Sequence, residues 1–314
     1  MLEYDQRNIP SEGKLMQKLV SVNIAAYNCE ATIVECIESV LAQTYTNLEI
    51  LVLDDYSTDQ TLRLVQEKFE DEEKLIILKN EENLGISQTQ NKLRQKSSGE
   101  LIAIIDSDDI CLPERIEKQV SFLEGHPEIS LLGTNIKVLE DQKVHSQNFM
   151  PLKTDHDSIA KQLRYLTAIF HPTLMIRSQV KTLISYDPRF QAAVDYDYYL
   201  KALEAGFKFS NLPEELVIYR IHDQAIGTRK RITQLLSAYY ANKLHMERVS
   251  SQKEISLLSK NIEDQVTKKS DKLFLKYSFK RSPSFYDKIL RFIISPFSRI
   301  GRFFLKRKAY TYLS

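Results

Sequence analysis

Asp106-Ser107-Asp108-Asp109 sets three carboxylates within four residues, directly after the apolar run Leu101 to Ile105. Like charges this close repel one another, a cost with no return unless a cation or donors sit nearby. Hard divalent ions such as Mn²⁺ or Mg²⁺ take few carboxylates, several waters and a substrate diphosphate. Metal–diphosphate binding is therefore the chemistry the run suits. The alternative is a solvated acidic turn ahead of the helix that Pro113 opens, and for a bare DxDD elsewhere that alternative is the better one. At the end of a buried strand the metal reading is preferred.

Asp54-Asp55-Tyr56-Ser57 follows a second apolar run, Leu48 to Leu53. A carboxylate there can accept the N3–H of a uracil or thymine ring. Both aspartates can instead complement the next helix N-terminus, worth about 0.3–1 kcal/mol each. One residue is enough for that, which leaves the other for a ligand. Tyr27 ends a first strand, where it can stack on a nucleobase or simply pack. His171, before Pro172, borders an acceptor pocket or caps a turn, with nothing in the sequence to choose between them.

The elements that must position these groups are legible as an alternation. Val20, Val22 and Ile24 read as a strand, and Ile33, Val34, Ile37, Val40 and Leu41 as one helix face. Leu48 to Leu53, Leu75 to Leu78 and Leu101 to Ile105 read as further strands. Ser57-Thr58-Asp59-Gln60 reads as a capping box for a helix bearing Leu62, Val65 and Phe69. A helix follows Asn83-Leu84-Gly85, and Pro113 opens one carrying Ile116, Val120 and Leu123. Such alternation predicts an α/β fold with a parallel sheet, whose ligands bind beyond the carboxyl ends of the strands. The second half is less regular: a TLMI strand after His171-Pro172, a helix over Asp195 to Ala205, and a strand at Val217 to Tyr219.

The 314 residues carry 43 Lys+Arg against 42 Asp+Glu, a net of +1, which gives no whole-protein argument for nucleic acid as partner. Three dispersed cysteines, Cys29, Cys36 and Cys111, make neither a disulfide framework nor a metal knuckle and favour a reducing compartment. No apolar run reaches the ~18 residues that span a bilayer, and the N-terminus lacks a signal-peptide h-region. No Ser/His/Asp triad order, Walker A loop or GxGxxG is present, which counts against acyl transfer, NTP hydrolysis and dinucleotide redox chemistry.

The ordered runs VSVNIAAYN, IESVLAQTYTNLEILVLDDYSTD, NLGISQTQN, GELIAIIDSDDICLPERI, VDYDYYLKALEAGFKF and VIYRIH resemble a family 2 glycosyltransferase over roughly residues 18–225. The resemblance implies an inverting, sugar-nucleotide-dependent enzyme of the GT-A fold: a mixed, mainly parallel sheet flanked by helices, with a helical C-terminal extension. It places Ala25, Tyr27 and Asp55 at the nucleotide base. Asp106, Asp108 and Asp109 fall on the region holding ribose and the divalent metal, with Asp108 and Asp109 as ligands. Arg220 and His222 match a motif near the diphosphate and metal, and His222 joins the metal set. Asp195 falls on the catalytic base, with Val194 in place of the Glu that usually precedes it. Tyr56 stands where the family usually has Gly. Read from the residues alone, Asp195 is also an ordinary N-terminal helix charge, and Asp197, on another face, is structural.

These readings divide the chain into an arm at 1–17, a GT-A domain at 18–227 (nucleotide half 18–112, acceptor half 113–227), a helical extension at 228–280 and a basic tail at 281–314. The tail carries eight Lys/Arg and one Asp among bulky apolar residues, a net of +7 that leaves −6 for the rest. Such a segment suits an anionic membrane surface, with packing on the domain or a partner-binding surface as the alternatives. The expected location is the cytoplasm, either free or peripheral on the inner face of the membrane. The resemblance implies a nucleoside-diphosphate sugar as donor, UDP first with dTDP and GDP open, and as acceptor a glycan or polyprenyl-diphosphate-linked glycan of a cell-envelope polysaccharide such as capsule or O-antigen. The rivals are a catalytically silent nucleotide-sugar-binding or scaffold protein of this fold and a nucleotidyltransferase.

Overall fold

The computed structural model describes residues 17–221, apart from 148, 149, 151, 165 and 191, together with Ser237, Ala238, Ala241 and His245. Strand and helix alternate at its start: β1 (Val20–Ala26), α1 (Ile33–Leu41), β2 (Leu48–Asp54), α2 (Thr61–Lys68), β3 (Leu75–Lys79), α3 (Ile86–Lys96) and β4 (Leu101–Asp106). A two-residue strand, β5 (Ile110–Cys111), precedes α4 (Arg115–Gly125). β1 pairs in parallel with β2 on one side and β4 on the other, and β2 pairs with β3.

The remaining elements are β6 (Ile129–Glu140), β7 (Lys143–Ser146), α5 (His156–Leu163), β8 (Met175–Arg177), α6 (Ser178–Leu183), α7 (Val194–Glu204) and β9 (Lys208–Arg220), with a 3-10 turn at His171–Thr173. The sheet order is β3-β2-β1-β4-β8-β6-β9-β5, with β7 on β6. Strand direction reverses at β8, which runs antiparallel to both β4 and β6, while β6 and β9 pair in parallel. The sheet is thus mixed, and its unbroken parallel part is β3 to β4.

Side chains alternate across each strand, and this decides which helix covers which face. Val20, Val22 and Ile24 of β1 join Ile33, Ile37 and Val40 of α1 and Ile116, Val120 and Leu123 of α4 in one buried cluster. Ile102 and Ile104 of β4 point the other way, into a second cluster with Ile159, Tyr198, Tyr199 and Phe209. Full burial of one such aliphatic side chain stabilises the fold by roughly 1.5–3 kcal/mol. Glycine 99 is required by close packing, because a Cβ there would lie 2.6 Å from the Ser21 nitrogen.

Three local expectations are corrected. Ser57 does not cap α2: its Oγ accepts from the Asn28 N–H at 3.0 Å, and the Thr61 N–H is satisfied by Asp59 Oδ1 at 2.9 Å. Pro113 lies in the turn before Glu114, the N-cap of α4, rather than at its first helical position. The strand expected at Val217 to Tyr219 is the end of a 13-residue strand, β9.

Cys29, Cys36 and Cys111 are free thiols. Among the described residues no helix is long and apolar enough to cross a membrane. His222, the basic tail, and most of the arm and the helical extension lie outside the described residues. Of the extension, Ser237, Ala238, Ala241 and His245 are helical, with Ala238 and Ala241 buried in the second cluster.

Candidate active site

The parallel register brings the polar strand ends level. Ala25 of β1 is the partner of Asp106 in β4, Ala26 is the partner of Asp54 in β2, and the Asp55 N–H donates to the Ala26 carbonyl at 2.8 Å. Tyr27, Asp55 and the Asp106–Asp109 loop therefore leave the sheet at one edge, beyond the carboxyl ends of three adjacent strands. Such an edge is where open α/β sheets bind ligands.

Asp106, Asp108 and Asp109 each present one carboxylate oxygen, and the three oxygens lie within 4.8 Å of one another. Burial pushes Asp106 up to about 7, with Asp108 and Asp195 adding to the rise and Arg115 opposing it. Burial first, then Asp106 and Asp108, push Asp109 well above the usual carboxylate range. Asp109 Oδ1 accepts from the Arg220 N–H at 2.8 Å, while its buried Oδ2 has no hydrogen-bond partner. Mutual repulsion and an orphaned buried oxygen suit an oxygen-seeking divalent cation. The donor set fits Mn²⁺ or Mg²⁺.

Arg220 is anchored beside this loop. Its Nε donates to the Asp108 carbonyl at 2.9 Å and its Nη2 pairs with Glu35 at 2.7 Å. Arg115, completely buried, donates from Nη2 to the Ile104 carbonyl at 2.7 Å and lies under the same loop. The sequence reading missed both Glu35 and Arg115. A cation six residues beyond the acidic run was the available signal for Arg115; Glu35 had none, because its partner is 185 residues away.

Asp195 is half-buried in the first turn of α7. The preceding residue but one, Ala193, is the N-cap and holds a left-handed φ of 55°. The charge of Asp195 acts on Asp106, and on the phenols of Tyr199 and Tyr219, which burial and this charge raise. Asp195 thus faces the acidic loop. His171 lies near Asp195: its Nδ1 is 3.0 Å from the Tyr199 hydroxyl and its Nε2 is 3.2 Å from the Tyr186 hydroxyl. Burial lowers its pKa, Asp195 partly opposing, so the ring is neutral near pH 7. Neither the capping nor the pocket role read from the sequence anticipated this tyrosine network.

Asp55 is held differently. Oδ1 accepts from Asn80 Nδ2 at 2.8 Å and the Leu84 N–H at 2.9 Å, and Oδ2 from the Gly85 N–H at 2.8 Å. Gly85 presents that N–H from a φ of 79°, which glycine adopts without cost. Asp54 uses Oδ2 for the Ser57 N–H, leaving its buried Oδ1 without a hydrogen bond. The structure brings Ala25, Asp106, Asp108, Asp109 and Arg220 together, with Asp195 near enough for its charge to act on Asp106, and sets Tyr27 and Asp55 farther along the same edge.

A mixed α/β sheet with an acidic loop at the edge of its parallel part defines a GT-A-like protein. Residues 21–183 match the family described as Glycosyl transferase family 2. The putative glycosyltransferase EpsE of Bacillus subtilis is 35% identical over 218 residues, covering 68% of this chain and 76% of its own. The UDP-Glc:alpha-D-GlcNAc-diphosphoundecaprenol beta-1,3-glucosyltransferase WfaP of Escherichia coli is 30% identical over 213 residues, covering 68% and 81%. The crystal structure of S. aureus TarS 1-349 in complex with UDP superposes with a TM-score of 0.59 at 20% identity, covering 88% of this chain and 78% of that one. The chain belongs to glycosyl transferase family 2.

Proposed function

We propose that the protein is an inverting, metal-dependent glycosyltransferase that moves one sugar from a nucleoside-diphosphate sugar, UDP-sugar first, to a hydroxyl of a glycan acceptor. The observation that supports this is that the charge of Asp195 acts on Asp106 of the acidic loop, since a transferase needs a base and a diphosphate site facing one reacting carbon. Asp106, Asp108 and Asp109 would hold Mn²⁺ or Mg²⁺, with His222, two residues beyond Arg220, completing the set. Bound there, the ion would offset the charge that grows on the diphosphate leaving group.

The protein's own residues supply the rest. Asp195 accepts the proton of the acceptor hydroxyl as that oxygen attacks the anomeric carbon, and the sugar–phosphate bond breaks on the opposite face. A single displacement of this kind inverts the anomeric configuration and leaves no covalent enzyme intermediate. Arg220, fixed by Glu35 and the Asp108 carbonyl, keeps a positive charge beside the diphosphate. Ala25, Tyr27 and Asp55 line the base end. The name of WfaP supports a polyprenyl-diphosphate-linked acceptor and a role in cell-envelope polysaccharide synthesis. The basic tail at 281–314 suits attachment to an anionic membrane surface where such an acceptor resides.

The test is turnover of a UDP-sugar panel with Mn²⁺, followed for UDP release. Asp195→Asn is expected to lower kcat about 10²–10⁴-fold while UDP affinity stays within about twofold. Undiminished turnover in that variant removes Asp195 from its role. UDP binding without turnover of any sugar in the native protein supports the catalytically silent alternative.

A further inference from the structure

Two exposed tyrosines stand at the edge described above, Tyr27 at 49% and Tyr56 at 53% of full exposure. Among the described residues they are the only tyrosine or phenylalanine side chains left so open. Tyr56 is also at a φ of +64°, in the left-handed region where glycine is at ease and a bulky residue is strained. An aromatic ring that is half in solvent gains little for the fold, so burial does not offset that strain. Strained backbone without a packing return is a mark of a functional position.

The two loops are also bound to each other. The Asn28 N–H donates to Ser57 Oγ at 3.0 Å, the Thr58 N–H to Asn28 Oδ1 at 2.8 Å, the Cys29 N–H to Thr61 Oγ1 at 2.8 Å and the Gln60 N–H to Glu30 Oε2 at 2.8 Å. This cross-linking holds the backbone beside both tyrosines in fixed relation, at the ends of strands that pair directly. Aromatic faces so presented suit a flat, π-faced ligand. We propose that Tyr56 is a second stacking surface for the donor nucleobase, working with Tyr27 as a two-sided clip. The assignment rests on the donor-site reading given under Proposed function. Because every base has a π-face, the clip raises affinity without choosing the base.

Calorimetric titration with UDP and Mn²⁺ tests this in the full-length chain. Tyr56→Gly is expected to weaken UDP about tenfold, and to raise Tm because the left-handed strain is gone. Tyr56→Asn, also compatible with that backbone, shows the same loss, whereas Tyr56→Phe stays within about twofold of the native protein. ADP weakens by a similar factor in Tyr56→Gly, leaving the preference between bases unchanged. A purely structural residue predicts the rise in Tm with unchanged UDP affinity, and that result overturns the assignment. Native protein that binds no UDP overturns the donor site itself and the clip with it, which separates the two failures.

Discussion

Asp55 and Asp109 emerge from the two strands that flank β1, and their surroundings are opposite. Asp55 receives three hydrogen bonds from Asn80, Leu84 and Gly85 and ties the loop before α3 to the end of β2. Asp109 lies buried beside Asp106 and Asp108, with one oxygen on the Arg220 N–H and the other unpartnered. One carboxylate is a strut satisfied by the chain; the other is part of a charge excess that Arg115 and Arg220 offset only in part. Acidic residues at a strand end therefore do not share one purpose, and hydrogen-bond saturation separates them.

The largest effect should come from removing the strut. Asp55→Ala strands three donors at a largely buried junction and is expected to cost about 3 kcal/mol of stability, measured by urea unfolding without metal. A cost below about 1 kcal/mol means water replaces the carboxylate easily and the contrast with Asp109 is false. The acidic loop responds with the opposite sign. At pH 8 without metal, Asp106→Asn relieves repulsion and stabilises by about 1 kcal/mol. Saturating Mn²⁺ then raises Tm of the native protein more than that of the variant. A destabilised Asp106→Asn would show that the cluster is held together by donors rather than strained by like charge.

The same contrast fixes a pH dependence. Asp106 has its pKa raised to about 7 in the folded protein, against about 3.9 for an unperturbed aspartate. Between those values the folded state binds more protons than the unfolded one, so stability is greatest below the lower value and falls as pH rises toward the upper. Without metal, Tm at pH 5 is expected to exceed Tm at pH 8 by a few degrees, about 2–4 °C per kcal/mol. Asp106→Asn shrinks that difference, and a Tm that rises over this range contradicts the assigned environment.

Much of this is legible in the sequence alone. Val20, Val22 and Ile24, and the continuous runs at β2 and β4, carry the periodicity of buried strands, so the parallel half and its acidic edge followed from local pattern. β6 escaped because Ser130, Gly133, Thr134 and Asn135 interrupt its apolar alternation, and because its pairing with β9 is nonlocal and bulged. Ser57 carried a capping signal that a tertiary contact with Asn28 overrode. The distinction between Asp55 and Asp109 was not available either, since both follow buried strands and differ only in donors brought from residues 80–85 and 220. Chemistry was legible in residue types, whereas satisfaction of that chemistry depended on distant partners.

The smallest effect extends the contrast to α7, where Asp195 faces the acidic loop and Asp197 faces cations. Lys201 Nζ pairs with Asp197 at 2.7 Å, and His245 Nε2 lies 3.3 Å from Asp197 while Nδ1 lies 2.6 Å from Glu204. Burial lowers the His245 pKa, but Asp197 and Glu204 outweigh it and hold the imidazolium above its ordinary value. A raised histidine pKa contributes stability that is complete below the unfolded value and is lost as pH climbs through the folded one. His245→Gln is therefore expected to cost about 0.5–1 kcal/mol at pH 5.5 and close to nothing at pH 8.5. Urea unfolding at the two pH values measures the difference. An equal cost at both would mean that His245 packs against α7 without ion pairing, and that Asp197 relies on Lys201 alone.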